Sequence, residues 1–104
     1  MTEKYSLPEI GRMADFFAEF TLKTEGDHLV ATDEWAYAPR RGNEIIEVIE
    51  AKLQEIATNS GLKVVFRCET STLQGKKLIH KRGGYNWRDR SYEGNSVYEK
   101  DFLP

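Results

Sequence analysis

The strongest chemical signal in the sequence is a run of cations with aromatic rings set between them. Lys76, Lys77, Lys81 and Arg82 are followed by Tyr85, Trp87, Arg88, Arg90 and Tyr92, and Asp89 is the one acid between 76 and 92. Lysine and arginine pair with phosphates or carboxylates, while exposed rings stack on unpaired bases or anchor a protein interface. Lys77, Lys81, Arg82, Tyr85, Trp87, Arg88 and Arg90 are therefore the expected contacts to an anionic partner. The rest of the chain leans the other way. Residues 1–75 carry a net −5, residues 76–92 a net +5 and residues 93–104 a net −2, which the overall −2 conceals. An isoelectric point near 5.7 speaks against a dedicated nucleic-acid binder, whose domains commonly lie above about 9.

A second constellation would suit a metal-independent ribonuclease. His80 or Glu69 would take the 2′-hydroxyl proton, and Arg67 or Arg82 would clamp the phosphate. Against it, strand alternation would turn His80 away from Ile79, as a half-buried structural histidine, and no family signature supports catalysis. Non-catalytic chemistry is the expectation. A third group, Asp33, Glu34, Trp35 and Tyr37, sets aromatic anchors beside acids, as protein interfaces often do. Glu44, Glu47, Glu50 and Glu55 form an acidic helix flank, read as a solvated face or a surface for a basic partner.

No metal or cofactor is expected. His28, His80 and Cys68 lack zinc-ligand spacing, Gly83-Gly84 reads as a turn, and no phosphate-binding loop is present. Cys68, the single cysteine, excludes an intramolecular disulfide and continues an apolar alternation, so it reads as a small core residue. With no secretory leader pattern and no apolar run near the ~18–20 residues of a membrane span, a cytoplasmic protein is expected.

These residues need elements to hold them, and 104 residues suffice for one domain, with 1–6 and 99–104 as its loosest ends. Ser6 and Glu9 form a capping box, and Ile10, Met13, Phe17 and Phe20 recur at helical spacing, predicting a helix over 7–22. His28 to Thr32 reads as a strand. Asp33-Glu34 then interrupts the pattern, either as a turn or within a strand continuing through Trp35 to Tyr37. Ile45, Ile49, Leu53 and Ile56 predict a second helix over 44–59, stopped by Gly61. Leu62, Val64, Phe66 and Cys68 alternate with Lys63, Val65, Arg67 and Glu69 as a half-buried strand. Residues 76–82 are expected to return as a second strand of a hairpin, and 85–92 as a third. The tail that ends Phe102-Leu103-Pro104 either packs back or hangs free.

The fold class implied is α+β, a two-layer α/β sandwich. Two helices would cover one face of a small mixed or mostly antiparallel sheet, with a parallel crossover through the second helix. The uncovered face would then gather Lys63, Arg67, Lys77 and Lys81, with Val65 and Ile79 between them. The function expected is a small binding module, a regulator or inhibitor that engages a protein partner such as a nucleic-acid-handling complex. The alternatives are direct RNA or single-stranded DNA binding through 76–92, and the ribonuclease. A homodimer through the uncovered face is compatible with each.

Overall fold

A computed structural model describes residues 2–6, 17–37, 42–70, 73–90 and 94–104. The order is β1 (Thr2–Ser6), β2 (Phe17–Glu25), β3 (His28–Tyr37), α1 (Gly42–Ser60), β4 (Val64–Thr70), α2 (Leu73–Arg82), β5 (Asn86–Arg90) and β6 (Ser96–Phe102). The six strands form one mixed sheet in the order β1-β2-β3-β4-β6-β5. The α+β class and the mixed sheet agree with the sequence. As expected, β3 and β4 on either side of α1 are parallel, with Ala31 opposite Phe66. Every other pairing is antiparallel.

Two elements correct the sequence reading. The helix predicted over 7–22 is, from Phe17 onward, the strand β2, joined to β3 through Gly26-Asp27. Residues 7–16 lie outside the described residues. Phe17 and Phe20 fit a helical stripe, but Phe20, Leu22 and Thr24 also alternate with Thr21, Lys23 and Glu25. Antiparallel pairing with β3 selects the second period and buries Phe20 and Leu22. Of the two readings of Asp33-Glu34, the continuing strand holds: β3 runs through to Tyr37, with an irregularity at this point. Glu19 pairs Trp35 and Phe20 pairs Asp33, so Glu34 is one extra residue that β3 absorbs as a bulge.

The second correction is α2, a helix where a hairpin strand was predicted. Leu73 to Arg82 contains one β-branched residue, Ile79, among helix formers such as Leu, Gln, Lys and Arg. His80, Lys81 and Arg82 occupy its last turn, where cations suit the negative end of the helix dipole. The partner of β4 in an antiparallel pair is instead β6, with Phe102 opposite Val64 and Tyr98 opposite Cys68. The C-terminal residues thus pack back, between β4 and β5.

The apolar core forms around α1. Ile45, Ile49, Leu53 and Ala57 pack with Phe20, Leu22, Leu29, Ala31, Val64, Phe66 and Phe102. Ile46, Ile79 and Tyr98 form a second cluster, joining α1, α2 and β6. Cys68, half-buried, packs against both clusters, as its place in the alternation predicts. Ile79 is therefore core, contrary to its expected place between exposed cations. Among the described residues no helix is long and apolar enough to cross a membrane.

Candidate functional site

At 100° per residue, the ten residues of α2 divide into three flanks around Ile79, which is buried. Arg82 and Gly75 lie on one side of it. That side meets α1, because Arg82 Nε donates to Glu50 Oε1 at 2.8 Å and Arg82 Nη1 to Glu47 Oε1 at 3.3 Å. Lys76 and His80 lie on the opposite side, with Leu73 and Lys77 further round. His80 Nε2 is 3.3 Å from the hydroxyl of Tyr98, whose ring it meets edge-on at 5.5 Å. Trp87 of β5 pairs with Tyr98 in register and so stands on the same face of the sheet. This flank of α2 therefore lies over β6, on the side away from α1, and β5 is the next and last strand of the sheet beyond it.

What this flank exposes is unusual for the molecule. Leu73 is 67% exposed and Trp87 57%, two of the three exposed large apolar side chains among the described residues. His80 is exposed and Lys76 half-exposed on this flank, while the exposed Lys77 and Lys81 stand side by side at the solvent crest of the helix. Among the described residues no carboxylate pairs with Lys76, Lys77 or Lys81. Leu73 of α2, Trp87 of β5 and, in part, Lys76 of α2 are thus exposed on the same face of the sheet, the one that carries Phe66.

A buried charge centre holds this surface in place. Glu50 of α1 is 7% exposed. Its carboxylate accepts hydrogen bonds from Tyr85 Oη at 2.7 Å, Arg82 Nε at 2.8 Å and Lys100 Nζ at 3.2 Å. Burial pushes the Glu50 pKa up, but the donors from Tyr85, Arg82 and Lys100 outweigh it and hold the group below its ordinary value. Burial first, then the Glu50 carboxylate, push the Tyr85 hydroxyl far above an ordinary phenol, so it remains a donor. The Lys100 ammonium also sits 5.2 Å from the centre of the Tyr85 ring. The chain reaches this centre through Gly83 and Gly84, at φ 80° and 82°. A Cβ at Gly84 would lie 3.0 Å from Lys100 Cε, so both conformation and space favour glycine there.

The predicted binding residues thus divide. Lys77, Lys81 and Trp87 are exposed, the lysines on a helix rather than on a strand beside Lys63 and Arg67. Arg82 and Tyr85 belong to the Glu50 centre. Arg88 donates to Glu99 Oε1 at 3.1 Å, and Arg67 to Glu99 Oε2 at 3.0 Å. Arg88 is the extra residue of a bulge in β5, which carries it to Glu99. Arg90 lies on β5, and Asp33, Glu34, Trp35 and Tyr37 on β3, but their side chains are outside the described residues.

The ribonuclease set is not brought together. Arg67 and Glu69 alternate with Phe66 and Cys68 and so point from the opposite face of β4 to His80 and Arg82. Among the described residues no group of three or more His, Cys, Asp or Glu could hold a metal ion. Sequence reasoning missed Lys100 and Leu73, and it placed Glu50 on a solvated acidic flank rather than at a buried centre, while Lys76 entered only as part of the basic run. Glu50 is one turn from both Ile46 and Leu53 on the same side of α1, a signal that it borders the core rather than solvent.

Comparison with known proteins supplies no relative. No protein-family model, curated protein or solved structure matches the chain.

Proposed function

We propose that the chain is a small non-catalytic binding module that engages a protein partner through the exposed residues of α2 and β5. The observation that carries this reading is the coincidence of exposed Leu73 and Trp87 with Lys76 and Lys77 over one face of the sheet, the lysines having no carboxylate partner among the described residues. Among the described residues Arg67, Arg82, Arg88 and Lys100 have carboxylate partners, whereas Lys76, Lys77 and Lys81 stand together on α2 without one. Aromatic and apolar anchors beside charged neighbours are the composition of interface hot spots. The arrangement behind it is a two-layer sandwich, with both helices over the Phe66 face. A regulator or inhibitor that works by occupying a cytoplasmic partner fits this surface.

The test is retention of proteins from nuclease-treated cell extract on the wild-type chain and on a Lys76→Glu, Lys77→Glu variant. A protein retained by the first and lost from the second supports the reading. Equal retention by both places the interface elsewhere.

The second reading, single-stranded RNA or DNA binding, is favoured by Trp87, an exposed ring next to cations. It requires affinity that falls steeply with salt and a loss on the order of 1–3 kcal/mol for Trp87→Ala. A titration with labelled oligonucleotides at two salt concentrations decides it, and a gel of the recovered RNA tests for cleavage.

A further inference from the structure

The sheet ends at β5, and among the described residues no strand pairs with its outer edge. An edge strand presents unpaired N–H and C=O groups on which another chain can build. Proteins blunt such edges with charge, and β5, reading Asn-Trp-Arg-Asp-Arg, is no exception. Charge is selective, however. A second copy adding its own β5 would set the α2 lysines of both copies over the same face of the joined sheet, like charge beside like charge, which disfavours self-pairing. An acidic strand meets the opposite field.

The geometry points to an extended acidic segment of a protein partner, added as a seventh strand along β5. This inference rests on the binding reading above and names its partner by chemistry. A strand added there would lie about 4.8 Å from β5, with alternate side chains on the Phe66 face. On that face they meet Trp87 and then the flank of α2 that carries Leu73, Lys76 and His80, with Lys77 at the crest beside it. Apolar side chains would cover Trp87 and Leu73, and carboxylates would reach the two lysines. Main-chain hydrogen bonds would hold the strand, while the α2 flank selects its charge.

The test uses the full chain and a library of random twelve-residue peptides displayed for selection. Peptides enriched in Asp and Glu alternating with apolar residues are expected. Their binding should slow amide hydrogen exchange across residues 86–90, fall about tenfold or more with Lys76→Glu, Lys77→Glu, and vanish when alternate peptide nitrogens are methylated. Methylation leaves the protein intact, so the result does not depend on a variant's folding. Selected peptides that bind equally well when methylated in either register, without protection in β5, overturn strand addition. If those same peptides remain sensitive to Lys76→Glu, Lys77→Glu, the binding surface itself stands. Failure to select any acidic peptide, with oligonucleotides protecting the α2 flank instead, overturns both the inference and the protein-partner reading.

Discussion

On the side of α2 that meets α1, Arg82 is tied to two carboxylates, and its neighbours Tyr85 and Lys100 close around Glu50. On the side away from α1, Lys76 and Lys77 have no carboxylate partner among the described residues, and Leu73, like Trp87 of β5, lies open to water. The same helix thus carries cations under two regimes. Where a carboxylate is buried and fully hydrogen-bonded, a charge serves cohesion, because removing it leaves the half-buried Tyr85 and Lys100 without their acceptor. Where cations are solvated and free of carboxylates, they add almost nothing to the fold and are available to a partner. The difference predicts that the two flanks separate stability from binding.

The largest effect is expected from Glu50→Ala. It leaves Arg82, Lys100 and Tyr85 without their shared acceptor and should lower the unfolding free energy by about 3 kcal/mol. Urea unfolding reads this as a fall in midpoint with unchanged slope. A loss under about 0.5 kcal/mol would erase the distinction between the flanks.

Acid sharpens the same contrast. The Glu50 pKa is lowered below its ordinary 4.5 in the folded protein, so folding is favoured by the ionised form. That stabilisation is complete above the unfolded value and is lost as pH falls through the folded one. Glu50→Gln should therefore narrow its stability gap to wild type as pH drops below about 4.5, whereas Lys77→Glu should show no such convergence in that direction.

Gly84→Ala comes next, at about 1–2 kcal/mol, because it strains a left-handed backbone and crowds Lys100. Thermal unfolding checks it. The smallest effect on stability belongs to Lys76→Glu, Lys77→Glu, which should stay within about 0.5 kcal/mol while weakening partner binding most. If that variant instead unfolds as readily as Glu50→Ala, the open flank is structural and the comparison fails.

Several features of the fold are legible in the residues themselves. The α1 helix, the β4 alternation, the parallel crossover between β3 and β4, and the half-buried place of Cys68 follow from local periodicity over long, regular stretches. So does the concentration of charge at 76–92, which reaches the surface as α2 and β5. Residues 76–82 mislead because their single buried position, Ile79, fits period 2 and period 3.6 equally well. A short segment with one core contact contains too little pattern to choose between them.

Composition, charge distribution and repeat spacing by themselves determined an α+β chain with a cationic, aromatic segment and no metal-ligand spacing. Only tertiary structure decided which cations are neutralised. Glu50 meets Arg82 and Lys100 across 32 and 50 residues of chain, and Arg67 meets Glu99 across 32. Such pairs depend on strand order and register, above all on β6 inserting between β4 and β5. Periodicity describes which face of an element is apolar, but it is silent on which element lies next to it. The open flank of α2 follows from that neighbour relation.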